Sequence, residues 1–549
     1  MVDRFVPEPK VRSMDNRATT KNIKEVNELK KIVFLIIASL LILGLVLPGC
    51  AGDGGGNGAA PEVTWTFSTG KIRVGVCGDM GTATGDMAWA GASIGAATVN
   101  AMGGVNVGGH VYNISLVSVD TDEMTDLSGI SGKLAIIANL NNCDLFMGGF
   151  RTESVIVYRD EVMDAKKLFF NCGAATETLQ QSVVLNYPKY KYWFKTTPYN
   201  EHFLGMNVVK LIDSVARELR IQKGLAANAT LTACILSENL KWARDEQVPT
   251  IKAGLPGINV DWKATYLVSS TVAAETNNAL SWAIGNYTPD LIIPLYSGTM
   301  GVVYAGGLLA ANGANTTDTM SVGINVYAQL KQPWAAGLGN PNPAGGAFCA
   351  YNVHLDTYAD GVNQTALTYG FLAAFAAAAG GEYPLYTAAT YDACFTVKAA
   401  LAANGWDNAG VGAVNASDII PWLETPANAV LGTTGYPCVY PVAGTTAGGK
   451  PALTSAQVAA LNVMPAGWVY NVNDWKMPIH TTHDLVYGIG RATGLGAQWQ
   501  WTGAAWKKVG IWPRVIANAT LKDQYGDWNF AYAGTQNISI PAFVLDGHL

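Results

Sequence analysis

Residues 71–123 read KIRVGVCGDMGTATGDMAWAGASIGAATVNAMGGVNVGGHVYNISLVSVDTDE. The stretch opens with the short apolar run KIRVGV, which is typical of a strand. Residues 87–102 follow with small and apolar side chains at helical spacing, and YNISLVSVD then has the pattern of a second strand. A strand, a helix and a strand in this order predict a βαβ unit with parallel strands.

The alternation continues along the chain and then restarts. Helices are predicted at 127–142 and 154–165, and strands at 143–149 and 167–172. A second unit follows, with strands at 231–238, 261–268, 290–296 and 319–325 and helices at 244–255, 277–286 and 300–313. The segment YWFKTTP (Tyr192–Pro198) lies between the units and is interpreted as a crossing strand or hinge. Two α/β lobes with a cleft between them are a binding architecture, and ligands on such sheets bind beyond the carboxyl ends of the strands.

The N-terminal residues have a different character from the remainder. Lys30 and Lys31 precede an apolar run from Ile32 to Leu47, and Cys50 follows after Pro48-Gly49. A basic flank, a short apolar core and a small-residue site indicate a secretory signal. Two interpretations stay open: cleavage with lipidation of Cys50, as in a lipoprotein, or an uncleaved membrane anchor. Both place the remainder outside the cytoplasm and tethered to the membrane, and the Gly-rich residues 51–70 predict a flexible linker.

Composition limits the class of protein. The chain has 549 residues, of which 14% are charged and 49% are hydrophobic, and the formal net charge is −6. We expect no nucleic-acid partner, because no basic stripe is present. No CxxC pair occurs, so the scattered cysteines favour buried small side chains, with one or two disulfides as the alternative. Eight N-x-S/T sequons permit glycosylation without establishing it.

Several motifs in order resemble one family. Asn100, Gly103, Gly104 and Val105 match a helix end of the pattern N-x-x-G-G-V; FFNCGAATETL, YWFKTTPYNEH, YPLYTAATYDACFTVKAAL and WKKVGIWP match later segments. Together they resemble the branched-chain amino-acid binding proteins of ABC transporters, over Lys71 to about Pro513. The resemblance implies a type I periplasmic-binding-protein fold, in which hinge strands join two Rossmann-like lobes with parallel sheets and a ligand cleft between them.

The resemblance also implies domain limits. Residues 71–196 plus 356–406 are expected to form lobe one, and 197–355 plus 483–515 lobe two. Residues 1–31 would be the cytoplasmic n-region, 32–50 the signal or anchor, 407–482 an insertion and 516–549 a C-terminal extension.

The resemblance implies ligand-binding residues at the positions of this chain that match the family's motifs. In lobe one they are the loop Arg151-Thr152-Glu153-Ser154, together with Ala174 through its backbone and Thr176 through its hydroxyl. The Arg151 guanidinium could pair with a carboxylate through two hydrogen bonds, or could be a solvated loop charge. Thr84 could close the mouth of the pocket.

Lobe two is expected to contribute Tyr296, which supplies apolar area and a hydroxyl, and Trp242. The sequence departs from the family at Asn325, where an acidic residue often pairs with the ligand ammonium. An amide cannot neutralise a cation. Either Glu153 replaces that acid or the ligand is an amide, a small carboxylate, a urea-like solute or an aromatic acid.

Other chemistry has weaker support. His480 and His483 lie near Asp484, but a structural role is favoured over a metal site, and no cofactor is expected. The absence of G-x-S-x-G, H-E-x-x-H and P-loop patterns argues against an enzyme. The sequence therefore predicts an extracytoplasmic solute-binding protein that delivers an amino acid or related small polar solute to an ABC permease. A sensory ectodomain acting through a partner and a structural surface glycoprotein are the alternatives.

Overall fold

The protein is represented by a computed structural model, which describes residues 64–67, 70–313, 319–331, 352–362, 365, 367–404, 413–425, 428, 430, 432–433, 483–484, 494–501 and 506–512. All of them belong to one compact unit, Glu62–Leu549. The predictions for residues 1–63, His480 and residues 513–549 fall outside the described residues.

The first lobe is built on a mainly parallel sheet. Its strand order is β3-β4-β2-β5-β6-β7, and only the β3–β4 pair is antiparallel. The strands are β2 (Lys71–Gly78), β3 (Val105–Val107), β4 (His110–Asp120), β5 (Leu145–Gly148), β6 (Phe169–Asn171) and β7 (Trp193–Lys195). β4 lies next to β2 on one side, and β5, the next strand in the chain, lies next to β2 on its other side. A switch point of this kind leaves a crevice at the carboxyl ends of the strands.

Helices cover this sheet. They are α1 (Ala83–Ala101), α2 (Ile130–Asn139), α3 (Thr152–Asp164), α4 (Glu177–Leu185), the single turn α5 (Tyr187–Tyr190), and later α10 (Thr368–Ala378) and α11 (Thr390–Asn404). The small residues of α1 allow close packing against the segment around α11. A Cβ at Gly91 would lie 2.1 Å from the Ala388 carbonyl oxygen, so the helix could not approach this closely with a larger residue there.

The N-x-x-G-G-V motif has a local structural basis. The Asn100 side chain donates to the Ile114 carbonyl at 2.9 Å and accepts from the Ile114 N–H at 2.8 Å, which ties the end of α1 to β4. Gly104 has a φ of +73°, and a Cβ there would lie 2.6 Å from the Tyr112 carbonyl oxygen. Glycine is therefore required for the tight return of the chain into β3.

The second lobe has a seven-stranded sheet in the order β15-β14-β12-β11-β10-β8-β9. Strands β8 to β12 are parallel, and β14 and β15 add an antiparallel hairpin. The strands are β8 (Leu231–Glu238), β9 (Val260–Val268), β10 (Leu291–Tyr296), β11 (Met320–Asn325), β12 (Asn352–Asp356), β14 (Leu495–Trp501) and β15 (Trp506–Trp512). The chain passes from β8 to β9 on one side and to β10 on the other, so a second switch point lies between β8 and β10.

The helices of the second lobe include one that was not predicted from the sequence. This helix, α6 (Glu201–Gln222), begins after the hinge, with the Asn200 side chain accepting from the Phe203 N–H at 3.2 Å as its N-cap. The others are α7 (Val248–Gly254), α8 (Ala273–Tyr287) and α9 (Met300–Gly313); a π-helical segment, Trp242–Gln247, leads into α7.

The predicted insertion 407–482 does not match the structure at its start. Residues 413–415 form β13 (Ala413–Asn415), which pairs antiparallel with β1 (Thr64–Thr66). Helix α12 (Ala416–Leu423) follows and buries Ile419, Ile420 and Leu423 in the first core. β1 lies in the predicted linker 51–70, and β13 and α12 lie in the predicted insertion 407–482. These short apolar elements were not predicted because the residues around them are polar and Gly-rich. Lobe one therefore includes parts of the predicted linker and of the predicted insertion.

His483 and Asp484 also lie elsewhere than predicted, against the first lobe. The His483 carbonyl accepts from the Lys195 N–H at the end of β7, and its ring stacks on Phe194 with centroids 4.3 Å apart. The Asp484 carboxylate lies 3.2 Å from the Lys195 Nζ, and both side chains are fully buried.

Each lobe has its own core, and the described cysteines belong to these cores. Cys77, Cys143, Cys172, Cys234 and Cys394 are buried and free. Burial raises the pKa of the Cys77 thiol well above its ordinary value, which keeps it protonated. Within the described ranges, no helix has both the length and the hydropathy needed to cross a membrane.

Candidate functional site

A cleft lies at the carboxyl ends of the strands of both sheets. Its space, including the open mouth, amounts to about 820 Å³. The first lobe lines it through the loops after β5 and β6, the second through residues following β8, β10, β11 and β12. The lining residues are Phe150, Arg151, Thr152, Gly173, Ala175, Thr197, Pro198, Tyr199, Leu204, Trp242, Ser297, Ile324, Val326, Gln329, Leu355, Asp356, Thr357 and Tyr386. Both switch points contribute, since Arg151 lies in the loop after β5 and Ser297 directly follows β10.

A buried carboxylate, that of Glu123, forms hydrogen bonds to the backbone of the loop after β5. Glu123 accepts hydrogen bonds from the backbone N–H groups of Phe150 and Arg151, each at 3.0 Å to Oε2, and from the Tyr158 hydroxyl at 3.3 Å. Burial raises the pKa of Glu123 to about 7, although these hydrogen bonds act in the opposite direction. The carboxyl group therefore fixes the backbone that presents Arg151 to the cleft.

Arg151 bridges the two lobes. Its Nη1 donates to the Ser297 hydroxyl at 2.6 Å and lies 3.3 Å from Oε2 of Glu238, the last residue of β8. The Ser297 hydroxyl in turn donates to Glu238, and the Ser297 N–H donates to the same carboxylate at 3.0 Å. Arg151 is 2% exposed and Glu238 is not exposed, so the pair is screened from solvent. A buried ion pair of this kind is strongly directional.

Several buried polar atoms of the cleft and of Glu238 beside it have no hydrogen-bond partner in the described part of the chain. They are the Thr152 hydroxyl, the Trp242 indole N–H, the Gln329 carbonyl oxygen, Arg151 Nε and Glu238 Oε1. Unsatisfied buried donors and acceptors are each costly, by about 1–3 kcal/mol. The set contains both donors and acceptors, which suits a small solute with polar groups of both kinds.

The remaining walls are apolar and aromatic. The rings of Phe150 and Tyr386 stack with centroids 5.9 Å apart. The Thr197 hydroxyl, on the hinge, donates to the Tyr386 carbonyl at 2.9 Å. Tyr199, Trp242 and Leu204 supply further apolar surface. These walls can enclose an apolar body next to the polar groups.

Comparisons with known proteins agree with this architecture. The chain matches no protein-family model, and no curated protein is significantly similar to it in sequence. Similar solved structures include one from Silicibacter pomeroyi described as a branched-chain amino acid ABC transporter, with a TM-score of 0.57 at 13% identity, covering 86% of this chain and 100% of that chain. The chain has the type I periplasmic-binding-protein fold. The fold predicted from the sequence is confirmed.

Two further structures with this fold are similar over most of their length. One is an ABC-transporter solute-binding protein from R. palustris in complex with benzoate, with a TM-score of 0.52 at 14% identity, covering 80% of this chain and 96% of that chain. The other is an ABC transporter substrate-binding protein from Sphaerobacter thermophilus, with a TM-score of 0.52 at 12% identity, covering 80% and 97%. The resemblance noted in the sequence is consistent with these neighbours.

The binding-protein fold brings three of the predicted site residues to the cleft: Arg151, Thr152 and Trp242. Arg151 is 2% exposed and is therefore not a solvated loop charge; its Nη1 is engaged by Glu238 and Ser297, whereas its Nε has no partner among the described residues. Glu153 lies beside the cleft, where its Oε1 accepts from the Lys241 N–H of the other lobe at 2.6 Å.

Four other predicted residues of the first lobe do not line the cleft. The buried Thr84 lies in the first turn of α1, and its carbonyl accepts from the Thr387 hydroxyl. The Ser154 hydroxyl donates to the Asp126 carbonyl, and Ala174 is part of the core. Thr176 is the N-cap of α4 and accepts from the Thr178 N–H. The adjacent Gly173 and Ala175 line the cleft instead.

In the second lobe, Tyr296 and Asn325 lie in the core instead of the cleft. Tyr296 is fully buried and stacks on Tyr304 with centroids 5.4 Å apart. The buried Asn325 amide donates to the Gly301 carbonyl at 3.0 Å. Successive side chains of a strand lie on opposite faces of the sheet, and the next residue, Ser297, lines the cleft.

Five residues in or beside the cleft were not predicted from the sequence: Glu238, Ser297, Gln329, Asp356 and Tyr386. Glu238 carried a usable signal, because an acidic residue at the carboxyl end of an otherwise apolar strand lies where ligands bind. No group of three or more metal-ligating side chains is present among the residues that the structure describes. The ring of His483 contacts Glu424 at 2.8 Å and the Trp193 carbonyl at 2.7 Å, which is a structural role.

Proposed function

We propose that this protein is an extracytoplasmic, membrane-tethered solute-binding protein. It would capture an amino acid or a related small polar solute between its lobes, without transforming it, and deliver the solute to an ABC permease. The observation that supports this best is the buried contact of Arg151 with Ser297 and Glu238 across the cleft, at the switch points of both sheets. Its opening and closing would couple solute capture to lobe movement.

The chemistry of the cleft supports a small solute with an apolar body and polar groups. Trp242 and Tyr386 supply aromatic surface, and Thr152 and Gln329 supply unsatisfied polar atoms. An aromatic acid is the second candidate, because a neighbour with the same fold was solved in complex with benzoate. Both candidates fit the apolar walls, but they differ in charge.

A thermal-shift screen of the full chain in detergent tests the proposal. The screen would cover the standard amino acids, amides, urea and small aliphatic and aromatic acids. A solute that binds only the folded protein stabilises it by about 2.7 kcal/mol at a hundredfold excess over the Kd, which raises the melting temperature. A cooperatively folded sample whose melting temperature no solute changes would contradict the proposal.

The tether needs a separate experiment. Mass spectrometry of the membrane-bound protein should find Cys50 as an acylated N-terminal residue, as a cleaved lipoprotein requires. A protein that retains residues 32–49 would instead support the uncleaved anchor. Recovery of unacylated protein from the medium alone would contradict both forms of tethering.

A further inference from the structure

Helix α2 (Ile130–Asn139) exposes a row of apolar side chains on the surface of the first lobe. Ile130, Leu134 and Ile137 lie four and three positions apart, so they share one side of the helix. They are 58%, 52% and 45% exposed. No other helix in the described part of the chain exposes three large apolar side chains. Together the three residues form an apolar surface, the α2 stripe.

The other side of α2 packs against the first lobe. A Cβ at Gly129 would lie 2.9 Å from the Ser154 Cα, and one at Gly132 would lie 2.6 Å from the Tyr158 ring, so α2 is in close contact with α3 there. Ile136 is fully buried in the first core. The packing of the lobe therefore does not account for the α2 stripe. Large apolar side chains grouped on a free surface indicate an interaction site.

The charges of α2 suit a second copy of this chain as the partner. Lys133 is the only charged residue of the helix, and its Nζ lies 2.7 Å from Oε1 of Glu161 on α3, so the two charges cancel within one subunit. In a symmetric pair, residues near the twofold axis meet their own copies, and an unpaired charge there would repel itself. The α2 stripe avoids this repulsion. A charged partner would instead need complementary charges on α2.

The spacing of the α2 stripe suits a helical partner. Apolar residues four and three positions apart form the seam of a coiled coil, in which each side chain fits between those of the facing helix. The stripe has the order Ile-Leu-Ile in both chain directions. Two antiparallel copies would therefore present the same apolar side chains to each other. A second α2, related by a twofold axis, matches the stripe along its whole length.

We propose that two copies of this protein associate through the α2 stripe, as antiparallel helices related by a twofold axis. Three half-exposed side chains per subunit bury less than the about 800 Å² per partner of a standard interface, so the dimer is weak in solution. The proposed membrane tether would confine both copies to one surface and raise their effective concentration. None of the three residues lines the cleft, so each copy keeps its own solute site.

Sedimentation velocity of the full chain in detergent, over a range of protein concentrations, tests the proposal. The wild-type protein should change from monomer to dimer as its concentration rises. Leu134→Lys should weaken the dimer at least about tenfold, because like charges then meet in an apolar seam. Leu185→Lys is the matched control, since Leu185 is 72% exposed at the end of α4 and lies outside the α2 stripe. It should leave the association unchanged.

Cross-linking in intact membranes locates the contact. A short bis-maleimide should join two subunits of Leu134→Cys, because their new thiols lie close to the twofold axis. It should not join subunits of the wild-type protein or of Leu185→Cys. The native cysteines in the described part of the chain are buried, so they do not compete for the reagent.

Three results would overturn the α2 dimer. They are a wild-type protein that stays monomeric at every concentration, a dimer that Leu134→Lys does not weaken, and a Leu134→Cys thiol that maleimide cannot reach because another segment or partner covers it. Solute binding is tested separately, since Leu134→Lys should keep every rise in melting temperature that a solute produces in the wild-type protein. A failed solute screen would therefore contradict the proposed function and leave the dimer intact.

Discussion

Lys508 and Asp356 form an ion pair of 2.9 Å, and neither side chain has any exposure to solvent. Lys508 lies on β15 and also donates to the Gln329 carbonyl at 2.9 Å. Asp356 ends β12, lines the cleft and accepts from the Tyr358 N–H at 3.1 Å. The pair thus joins the antiparallel hairpin to the strand from which the chain returns to the first lobe.

Removing one partner of this pair should destabilise the protein strongly. Asp356→Asn leaves the Lys508 ammonium buried without a counter-charge, and a loss of about 3–5 kcal/mol is typical of such a change. The double variant Asp356→Asn/Lys508→Met should lose less than Asp356→Asn alone. Denaturant-induced unfolding measures both. Lys507→Met, at the exposed neighbouring position, should change stability by less than about 0.5 kcal/mol. A single variant as stable as this control would contradict the assignment.

Glu123 should make stability depend on pH. Its folded-state pKa is raised to about 7 from an ordinary 4.5, first because of burial. A raised pKa means that the folded state holds the proton more tightly, so this stabilisation is complete below about pH 4.5. It is lost as the pH rises through about 7. The difference in melting temperature between wild-type protein and Glu123→Gln should therefore change between pH 5 and pH 8, in favour of the variant at pH 8.

This comparison isolates Glu123 from other titrating groups. Burial also raises the pKa of Asp392 to about 7, and burial lowers the pKa of His354. Both residues are present in wild-type protein and variant, so their contributions cancel in the difference. A difference that is constant across the pH range would show that Glu123 titrates normally.

The strand-helix alternation between 71 and 325 was predictable because short apolar runs alternate with longer segments of small and apolar residues. Strand β8 occurs where LTACILSE predicts it, and α9 spans the same residues, 300–313. Helix α6 was not predicted, because the segment before it was interpreted as a hinge and no helix was assigned after it. The elements in segment 413–423 were not predicted either, because β13 and α12 are short and follow a Gly-rich stretch.

The site was less predictable because a shift of one position along a strand moves a side chain to the opposite face of the sheet. Tyr296 was expected at the cleft, but Ser297 occupies that position and Tyr296 packs in the core. Arg151, which was predicted from its place after β5, does line the cleft. Its pairing with Glu238 depends on how the two lobes meet, which no local pattern specifies. A contact between residues 87 positions apart in the chain depends on the three-dimensional fold.

Gly173→Ala should weaken the site and the fold together. A Cβ at this cleft-lining position would lie 2.0 Å from the Gly149 carbonyl oxygen and 2.6 Å from the Phe150 Cα, both backbone atoms. The loop after β5 must then shift, and we expect a loss of about 1–3 kcal/mol in stability together with weaker solute binding. Gly285→Ala is the matched control, since nothing lies within 4 Å of its new Cβ in α8. It should stabilise the protein by about 0.5–1 kcal/mol. Equal effects of the two variants would contradict the close packing at Gly173.

Ser297→Ala should shift the lobes towards an open arrangement in the absence of solute. The Ser297 hydroxyl accepts from Arg151 of the first lobe and donates to Glu238 of its own lobe, so its loss removes one buried hydrogen bond to a charged group across the cleft. A bond of this kind contributes about 1.5–3 kcal/mol, enough to change the ratio of closed to open forms about tenfold or more. Small-angle scattering of the solute-free variant should give a larger radius of gyration than wild-type protein. Ser269→Ala, at a half-buried position of the same lobe, should not change the radius. An unchanged radius in Ser297→Ala would show that other contacts hold the lobes together.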